Sequence, residues 1–251
     1  MTETDRTASR RTVRGALDRL AAAQKTSKGA PAYSRYVNRW LGRRFAAVAY
    51  VADLTPNKVT ALSALCTFAG IALIASVAPS VGMAVAVVIA FVVGYALDSA
   101  DGQLARLQGS GSPAGEWLDH TIDATKIATL HCAVLLSWFR FEEERSAWLL
   151  VPLAYSAVAS VQFFSMVLTD QLRRAHRGSA RGFLQGDGSS SVAYSFAVLP
   201  TDFGLLCVAF LLFDWHAGFR VVYLLLLAAN TGFMVLALPK WFREVRGFGG
   251  V

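Results

Sequence analysis

Residues 98–123 read DSADGQLARLQGSGSPAGEWLDHTID, and this stretch decides the fold because it places a row of acids between two long apolar runs. Gly109, Gly111 and Pro113 in its middle predict a tight turn, so the flanking runs are expected to be antiparallel neighbouring helices. A charged side chain at the centre of a membrane-spanning helix costs about 2.5–3.5 kcal/mol on insertion scales. The acids must therefore be paired, bound to metal or exposed to a water-filled cavity. They are Asp98, Asp101, Glu116, Asp119 and Asp123.

The composition around this stretch is that of a membrane protein. The chain has 251 residues, of which 55% are hydrophobic and 16% charged, and its formal net charge is +7. Soluble domains have about 45–50% apolar and about 25% charged residues, so intrinsic disorder is excluded for most of the chain. The first 44 residues hold 11 of the 24 Lys and Arg residues. The three cysteines are far apart in apolar stretches, which excludes a disulfide framework and a zinc site.

Apolar runs of about 20 residues predict an all-α, polytopic membrane protein with six transmembrane helices. The expected spans are about 57–77, 81–106, 115–138, 147–168, 195–213 and 219–238. Aromatic and basic residues between Tyr33 and Val51 predict an N-terminal amphipathic helix at the interface. Residues 1–32 are expected to be a basic cytoplasmic arm, residues 33–243 the membrane domain and residues 244–251 a cytoplasmic tail. The distribution of Lys and Arg favours both termini, and the acidic stretch, on the cytoplasmic side.

The spacing of the four aspartates predicts a metal site. Asp98 and Asp101 share one helix face, and Asp119 and Asp123 share another. The tight turn brings the two faces together, and like charges in a medium of low dielectric constant repel unless cations neutralise them. Carboxylate oxygens suit Mg²⁺, Mn²⁺ or Ca²⁺. His120 points about 100° away from Asp119 on a helix, so we interpret it as structural.

The pattern Asp98-x2-Asp101-Gly102-x2-Ala105-Arg106-x8-Gly115-x3-Asp119-x3-Asp123 resembles the complete signature of the CDP-alcohol phosphotransferases. The resemblance extends from about Tyr33 to Arg243. It implies an integral membrane enzyme of phospholipid biosynthesis that transfers a substituted phosphate from a CDP-linked lipid, such as CDP-diacylglycerol, to an alcohol and releases CMP.

The resemblance also implies residue roles. Asp98, Asp101 and Asp119 would bind two divalent cations, Mg²⁺ or Mn²⁺, with Asp123 completing the second site and acting as general base. The CDP donor would be bound by a small set of motif residues, namely Gly102, Ala105, Arg106 and Gly115. A homodimer is implied, with membrane lipids and the two substrates as the other partners and no nucleic acid.

The acceptor alcohol is less constrained by the sequence. Arginines where the fourth span meets the cytoplasm would hold a phosphorylated polyol, such as inositol phosphate or glycerol phosphate, or would only set topology. Lys126 would contact an acceptor phosphate or pair with an aspartate. Asp202 would contact an acceptor hydroxyl or cap a helix after Pro200. The candidate acceptor residues are therefore Lys126, Arg173, Arg174, Arg177 and Asp202.

Two other functions share part of this pattern. An intramembrane prenyltransferase also uses aspartates and Mg²⁺ on a prenyl diphosphate, but it needs two aspartate motifs in distant halves of a longer chain. A divalent-cation transporter would line a path across the bilayer with acids, whereas these acids cluster near one side.

Overall fold

The computed structural model describes residues 12–22, 30–142, 146–177 and 192–249, and within these ranges it contains helices and no strand. We number the α-helices in chain order. They are α1 Val13–Ala22, α2 Arg39–Val51, α3 Pro56–Ser76, α4 Val81–Gln108, α5 Pro113–Phe141, α6 Leu150–Arg177, α7 Val192–Ala197, α8 Phe203–Ala209 and α9 His216–Arg246. Helices α3, α4, α5, α6 and α9 are long and apolar enough to cross a membrane.

Local capping explains where the three central helices begin and end. Thr55 caps α3 and Ser80 caps α4, each through its hydroxyl. Gly109 adopts a left-handed conformation (φ +65°) that ends α4, and only glycine does so without strain. Ser112 then accepts a hydrogen bond from the Gly115 amide at 3.1 Å and starts α5. The predicted tight turn is therefore confirmed, and it makes α4 and α5 antiparallel.

The expected span at 195–213 is not a continuous helix, so the count of six spanning helices is not confirmed. Short pieces take its place: α7, a 3₁₀ turn at Leu199–Thr201, α8 and a 3₁₀ turn at Phe210–Leu212. Pro200 lacks an amide hydrogen, and Asp202 begins a new helix by accepting from the Gly204 amide at 2.9 Å. These two residues explain the break.

The ends of the long helices meet at one side of the bundle, which we call the motif end because it contains the acidic stretch. The end of α4 contacts the start of α3, because the Gln108 amide donates to the Leu54 carbonyl at 2.9 Å. Arg174 at the end of α6 pairs with Glu116 at the start of α5. Arg173 pairs with Glu244 at the end of α9. At the opposite side, Arg220 of α9 pairs with Glu142 after α5.

The segment for which an amphipathic interfacial helix was predicted contains a π-helical turn, Ser34–Asn38, followed by α2, and both pack against the bundle. Its place at the membrane interface stays a prediction. A Cβ on Gly42 would lie 2.7 Å from Ser99 Oγ of α4, so the two helices are in close contact. Tyr36 and Trp40 on the other side remain about half exposed. Helix α1 lies against α2 and α4, where Arg19 donates to the Leu107 carbonyl at 3.1 Å. The N-terminal helices thus lie at the motif end.

Candidate active site

The acids of α4 and α5 meet across a buried lysine. Lys126 Nζ of α5 lies 2.6 Å from Asp98 Oδ1 of α4 and 3.1 Å from Asp123 Oδ1. Its side chain is 6% exposed, and Ser63 Oγ of α3 lies 3.4 Å from the ammonium group. Of the two interactions predicted for Lys126, the structure therefore shows pairing with aspartates. A positive charge between these carboxylates offsets the repulsion that their convergence creates.

Asp101 faces a different neighbour although it shares a helix face with Asp98. Thr60 Oγ1 of α3 donates to Asp101 Oδ2 at 2.6 Å, and Asp101 is 7% exposed. The same hydroxyl lies 3.1 Å from the Pro56 carbonyl oxygen. Because a hydroxyl has one proton, the shorter contact with the carboxylate takes it. Helix α3 thus fixes the orientation of one predicted metal ligand.

Asp119, Asp123 and His120 form a second part of the site. One ligand atom from each lies within 4.8 Å of the others, a spacing that fits a metal ion. His120 Nδ1 is 4.0 Å from Asp119 Oδ2, and its Nε2 is 3.5 Å from Glu116 Oε1. The interpretation of His120 as structural or interfacial stays a prediction, and its ring lies within reach of this group. His120 remains beside the predicted ligands in a position to orient or join them.

The four predicted donor-binding residues line the same end of α4 and α5. A Cβ on Gly102 would meet only Arg106 Nη1, at 3.5 Å, so the backbone is open to a ligand there. Arg106 is exposed and lies one turn beyond Gly102. A Cβ on Gly115 would lie 3.2 Å from Asn57 Oδ1, so this glycine also permits α5 to approach α3. Ala105 is half-buried, and its carbonyl accepts from the Ser110 amide at 3.0 Å.

The predicted acceptor residues have partners in the structure. Arg173 is buried and pairs with Glu244. Arg174 pairs with Asp170 and Glu116, each at 2.7 Å. The side chain of Arg177 lies outside the described residues. These ion pairs join α6 to α5 and α9, so the arginines also hold the motif end together.

Asp202 is a helix cap, which is one of the two roles considered for it. It is 3% exposed and caps α8. It also accepts hydrogen bonds from the Ser34 amide at 2.8 Å and from Ser34 Oγ at 3.0 Å. Burial, together with nearby Cys207 and Asp202, raises the pKa of Tyr33 to about 12, so the phenol beside this cap stays neutral.

Sequence reasoning did not assign the residues that support the acids from outside the acidic stretch. Thr60 and Ser63 of α3 contact Asp101 and Lys126. Tyr95 lies one turn before Asp98 and bonds to Ser34. At the start of α3 the sequence reads Pro56-Asn57-x-Val59-Thr60, an entry to the first span that agrees with the family resemblance and is the available signal for Thr60. Only the helix packing reveals the partner of Thr60.

Comparison with known proteins gives a family. The family model for CDP-alcohol phosphatidyltransferases matches residues 53–239, about three quarters of the chain. The crystal structure of phosphatidylinositol phosphate synthase from Mycobacterium tuberculosis with CDP-DAG bound is similar, with 20% identity and a TM-score of 0.48. The match covers 82% of this chain and 94% of that chain. No curated protein sequence matches.

Proposed function

Because this chain belongs to the CDP-alcohol phosphatidyltransferase family, we propose that it transfers a phosphatidyl group from CDP-diacylglycerol, or a related CDP-linked lipid, to an alcohol and releases CMP. The observation that carries the proposal is the meeting of Asp98, Asp101, Asp119 and Asp123 at the end of α4 and the start of α5. The membrane-spanning helices beside them suit a lipid donor whose acyl chains stay in the bilayer.

The residues present fit a divalent-cation site. The ammonium group of Lys126 lies between Asp98 and Asp123, which supports the binding of positive charge at this position. We propose that Asp98, Asp101, Asp119 and Asp123 bind two Mg²⁺ or Mn²⁺ ions per protomer, with His120 adjacent. Bound there, the cations would offset the charge of the donor diphosphate and of the leaving CMP.

Asp123 is the residue we assign as general base. It must accept the proton of the acceptor hydroxyl as that oxygen attacks the donor phosphorus. Its side chain is 27% exposed, so an acceptor can reach it from the motif end. Lys126, 3.1 Å away, stabilises its negative charge and orients it. The attack is direct, without a covalent enzyme intermediate.

The donor would lie along the exposed side of the α4–α5 turn. Gly102 leaves the backbone open, so the nucleotide can approach α4 closely. Arg106 is placed to pair with a donor phosphate. Ala105 of α4 and Gly115 of α5 are small residues, so they leave room for the donor beside both helices.

The acceptor that we favour is a phosphorylated polyol, either inositol phosphate or glycerol phosphate. Arg174 is 29% exposed at the side chain and lies with Arg173 and Arg177 at the end of α6. A phosphate would compete there with Glu116 and Asp170 for the guanidinium of Arg174. Lys126 and Asp202 stay candidates for acceptor contacts.

We further propose that the motif end faces the cytoplasm and that the enzyme is a homodimer. The abundance of Lys and Arg before α3 and after α6 supports this orientation. Both described ends of the chain lie at this side: Arg19 contacts the end of α4, and the Phe248 ring stacks on His176 at the end of α6.

The test is a product analysis with purified protein. CDP-diacylglycerol, Mg²⁺ and a panel of labelled acceptors are incubated together, and both CMP and the lipid product are identified. Inositol phosphate or glycerol phosphate is expected to give the labelled lipid. CMP release only with a non-phosphorylated alcohol would overturn the acceptor assignment, and no CMP release from any CDP-linked lipid would overturn the function.

A further inference from the structure

A hydrogen-bonded clamp fastens the N-terminal segment to the membrane domain. The Asp202 carboxylate accepts from the Ser34 amide at 2.8 Å, from Ser34 Oγ at 3.0 Å and from the Gly204 amide at 2.9 Å. Ser34 Oγ also lies 2.7 Å from Tyr95 Oη of α4. Because the single proton of Ser34 goes to the carboxylate, Tyr95 donates to Ser34. The clamp therefore joins α8, the start of the N-terminal helix and α4.

Packing around the clamp leaves little freedom for the segment. A Cβ on Gly204 would lie 1.9 Å from the Tyr33 ring, so this ring sits directly on the backbone of α8. The Tyr33 ring also stacks on Tyr95, with 6.4 Å between centroids and 14° between planes. Phe203 meets Tyr95 edge-on at 5.2 Å. The π-helical turn that leads into α2 is thus fixed against α4.

The clamp places Arg39 beside the candidate active site. Arg39 lies between two points where its segment touches α4: Ser34, whose hydroxyl lies 2.7 Å from Tyr95 Oη, and Gly42, where a Cβ would lie 2.7 Å from Ser99 Oγ. Arg39 and Gly42 are three residues apart, so they share the face of α2 that packs on α4. Tyr95, Asp98, Gly102 and Arg106 follow one another at three- and four-residue steps, so they share one face of α4. Arg39 therefore lies along the face that carries a predicted metal ligand and the open backbone of Gly102.

Arg39 is only half-buried. Burial lowers the pKa of its guanidinium; Tyr95 raises that pKa, and Arg35 lowers it further. Two arginines, Arg39 and Arg106, next to the same helix face repel each other. An anion between them relieves that repulsion, and a guanidinium binds phosphate through paired hydrogen bonds.

We propose that Arg39 is a phosphate-binding residue of the active site and that Asp202 is a positioning residue, which holds Arg39 there through Ser34. The inference rests on the proposed function, because the phosphate belongs either to the CDP-linked donor or to the acceptor. The N-terminal helix then lines the active site and contributes a phosphate-binding residue, in addition to anchoring the chain at the membrane.

The test measures binding and turnover separately in full-length purified protein. Affinities for CDP and for inorganic phosphate are measured by calorimetry with Mg²⁺, and the KM values for donor and acceptor are measured by CMP release. Arg39→Ala is expected to weaken one ligand about tenfold or more, the loss of a charge-assisted pair. A shift in CDP affinity and donor KM assigns the donor phosphate. A shift in phosphate affinity and acceptor KM assigns the acceptor.

The matched control is Arg44→Ala, because Arg44 lies on the same helix over the exposed Trp40 ring, with 3.3 Å from Cζ to the ring centroid. It is expected to leave both affinities and both KM values unchanged. Arg39→Lys keeps the positive charge and is expected to restore only part of the affinity. A partial recovery separates the loss of a phosphate contact from a folding defect.

The positioning role is tested by combining variants. Asp202→Asn is expected to raise the same KM as Arg39→Ala, and the double variant is expected to be no worse than Arg39→Ala alone. Equal effects of Asp202→Asn with and without Arg39 would overturn the positioning role. Unchanged affinities and KM values in Arg39→Ala would overturn the phosphate site. Arg39-dependent ligand binding without any CMP release would leave the site standing and overturn the proposed function.

Discussion

Replacing Thr60 by valine tests whether Asp101 is a metal ligand that α3 holds in place. The substitution keeps the volume and removes the hydroxyl that donates to Asp101 Oδ2 at 2.6 Å. Asp101 is 7% exposed, so water has little room to replace the lost donor. A hydrogen bond to a charged group is worth about 1.5–3 kcal/mol, and about 1.4 kcal/mol corresponds to tenfold in affinity. We expect the Mg²⁺ concentration for half-maximal activity to rise about 10–100-fold, as is typical when a residue that orients a ligand is lost.

The assay is CMP release from CDP-diacylglycerol as a function of Mg²⁺ concentration. Activity of Thr60→Val should recover at saturating Mg²⁺, because the ligand itself is intact, and Thr60→Ser should behave like the wild type. Thr129→Val is the matched control: the Thr129 hydroxyl donates to the Thr125 carbonyl oxygen at 2.6 Å within α5 and touches none of the acids. A wild-type Mg²⁺ dependence in Thr60→Val would refute the assignment of Asp101.

Three further substitutions probe the same architecture. Lys126→Met should increase the rise in melting temperature produced by Mg²⁺, because the ammonium no longer occupies the space between two carboxylates; an unchanged shift would show that it does not compete with the ion. Gly204→Ala should lower the melting temperature markedly, since its Cβ would overlap the Tyr33 ring, whereas Gly232→Ala meets nothing within 4 Å and serves as the tolerated comparison. Asn230→Leu should lower the free energy of unfolding by about 1–3 kcal/mol in reversible unfolding, because it removes the buried hydrogen bonds from Asn230 of α9 to Tyr155 of α6 and to the Pro200 carbonyl, where the helix is interrupted. Unaltered stability would contradict that role.

Hydropathy and turn residues predicted the five continuous spans well, because each is a long apolar run, and α3, α4 and α5 also begin at a side-chain cap. They missed the break near Pro200, since average hydropathy hardly changes when a helix is interrupted. The cap residue Asp202 was visible in the sequence. Its second role, fastening Ser34, depends on a partner 168 residues away and only appears once the helices pack.

Helical spacing likewise predicted that the aspartates of α4 and α5 converge, because periodicity fixes which residues share a face. It did not predict what each carboxylate contacts. Asp98 pairs with Lys126 of α5 whereas Asp101 bonds to Thr60 of α3, a difference set by the neighbouring helix. The angle of His120 on the helix did not indicate the reach of its ring, whose Nδ1 lies 4.0 Å from Asp119 Oδ2.

The sequence also did not predict the ion pairs of the α6 arginines. Positive charge at the end of a span is expected from topology alone, so Arg173 and Arg174 gave no sign of their partners. Glu244 lies 71 residues from Arg173 and reaches it only because α6 and α9 end side by side. The acceptor is a phosphorylated alcohol if its phosphate competes with these carboxylates for the arginine side chains.

The most direct measurement of the central claim is CMP release from CDP-diacylglycerol by the wild type and by Asp123→Asn, each with Mg²⁺ and with EDTA. We expect release by the wild type only when Mg²⁺ is present, and no release by Asp123→Asn even though this variant still binds CDP. Release that persists in EDTA, or wild-type turnover by Asp123→Asn, would contradict metal-dependent transfer with Asp123 as the base.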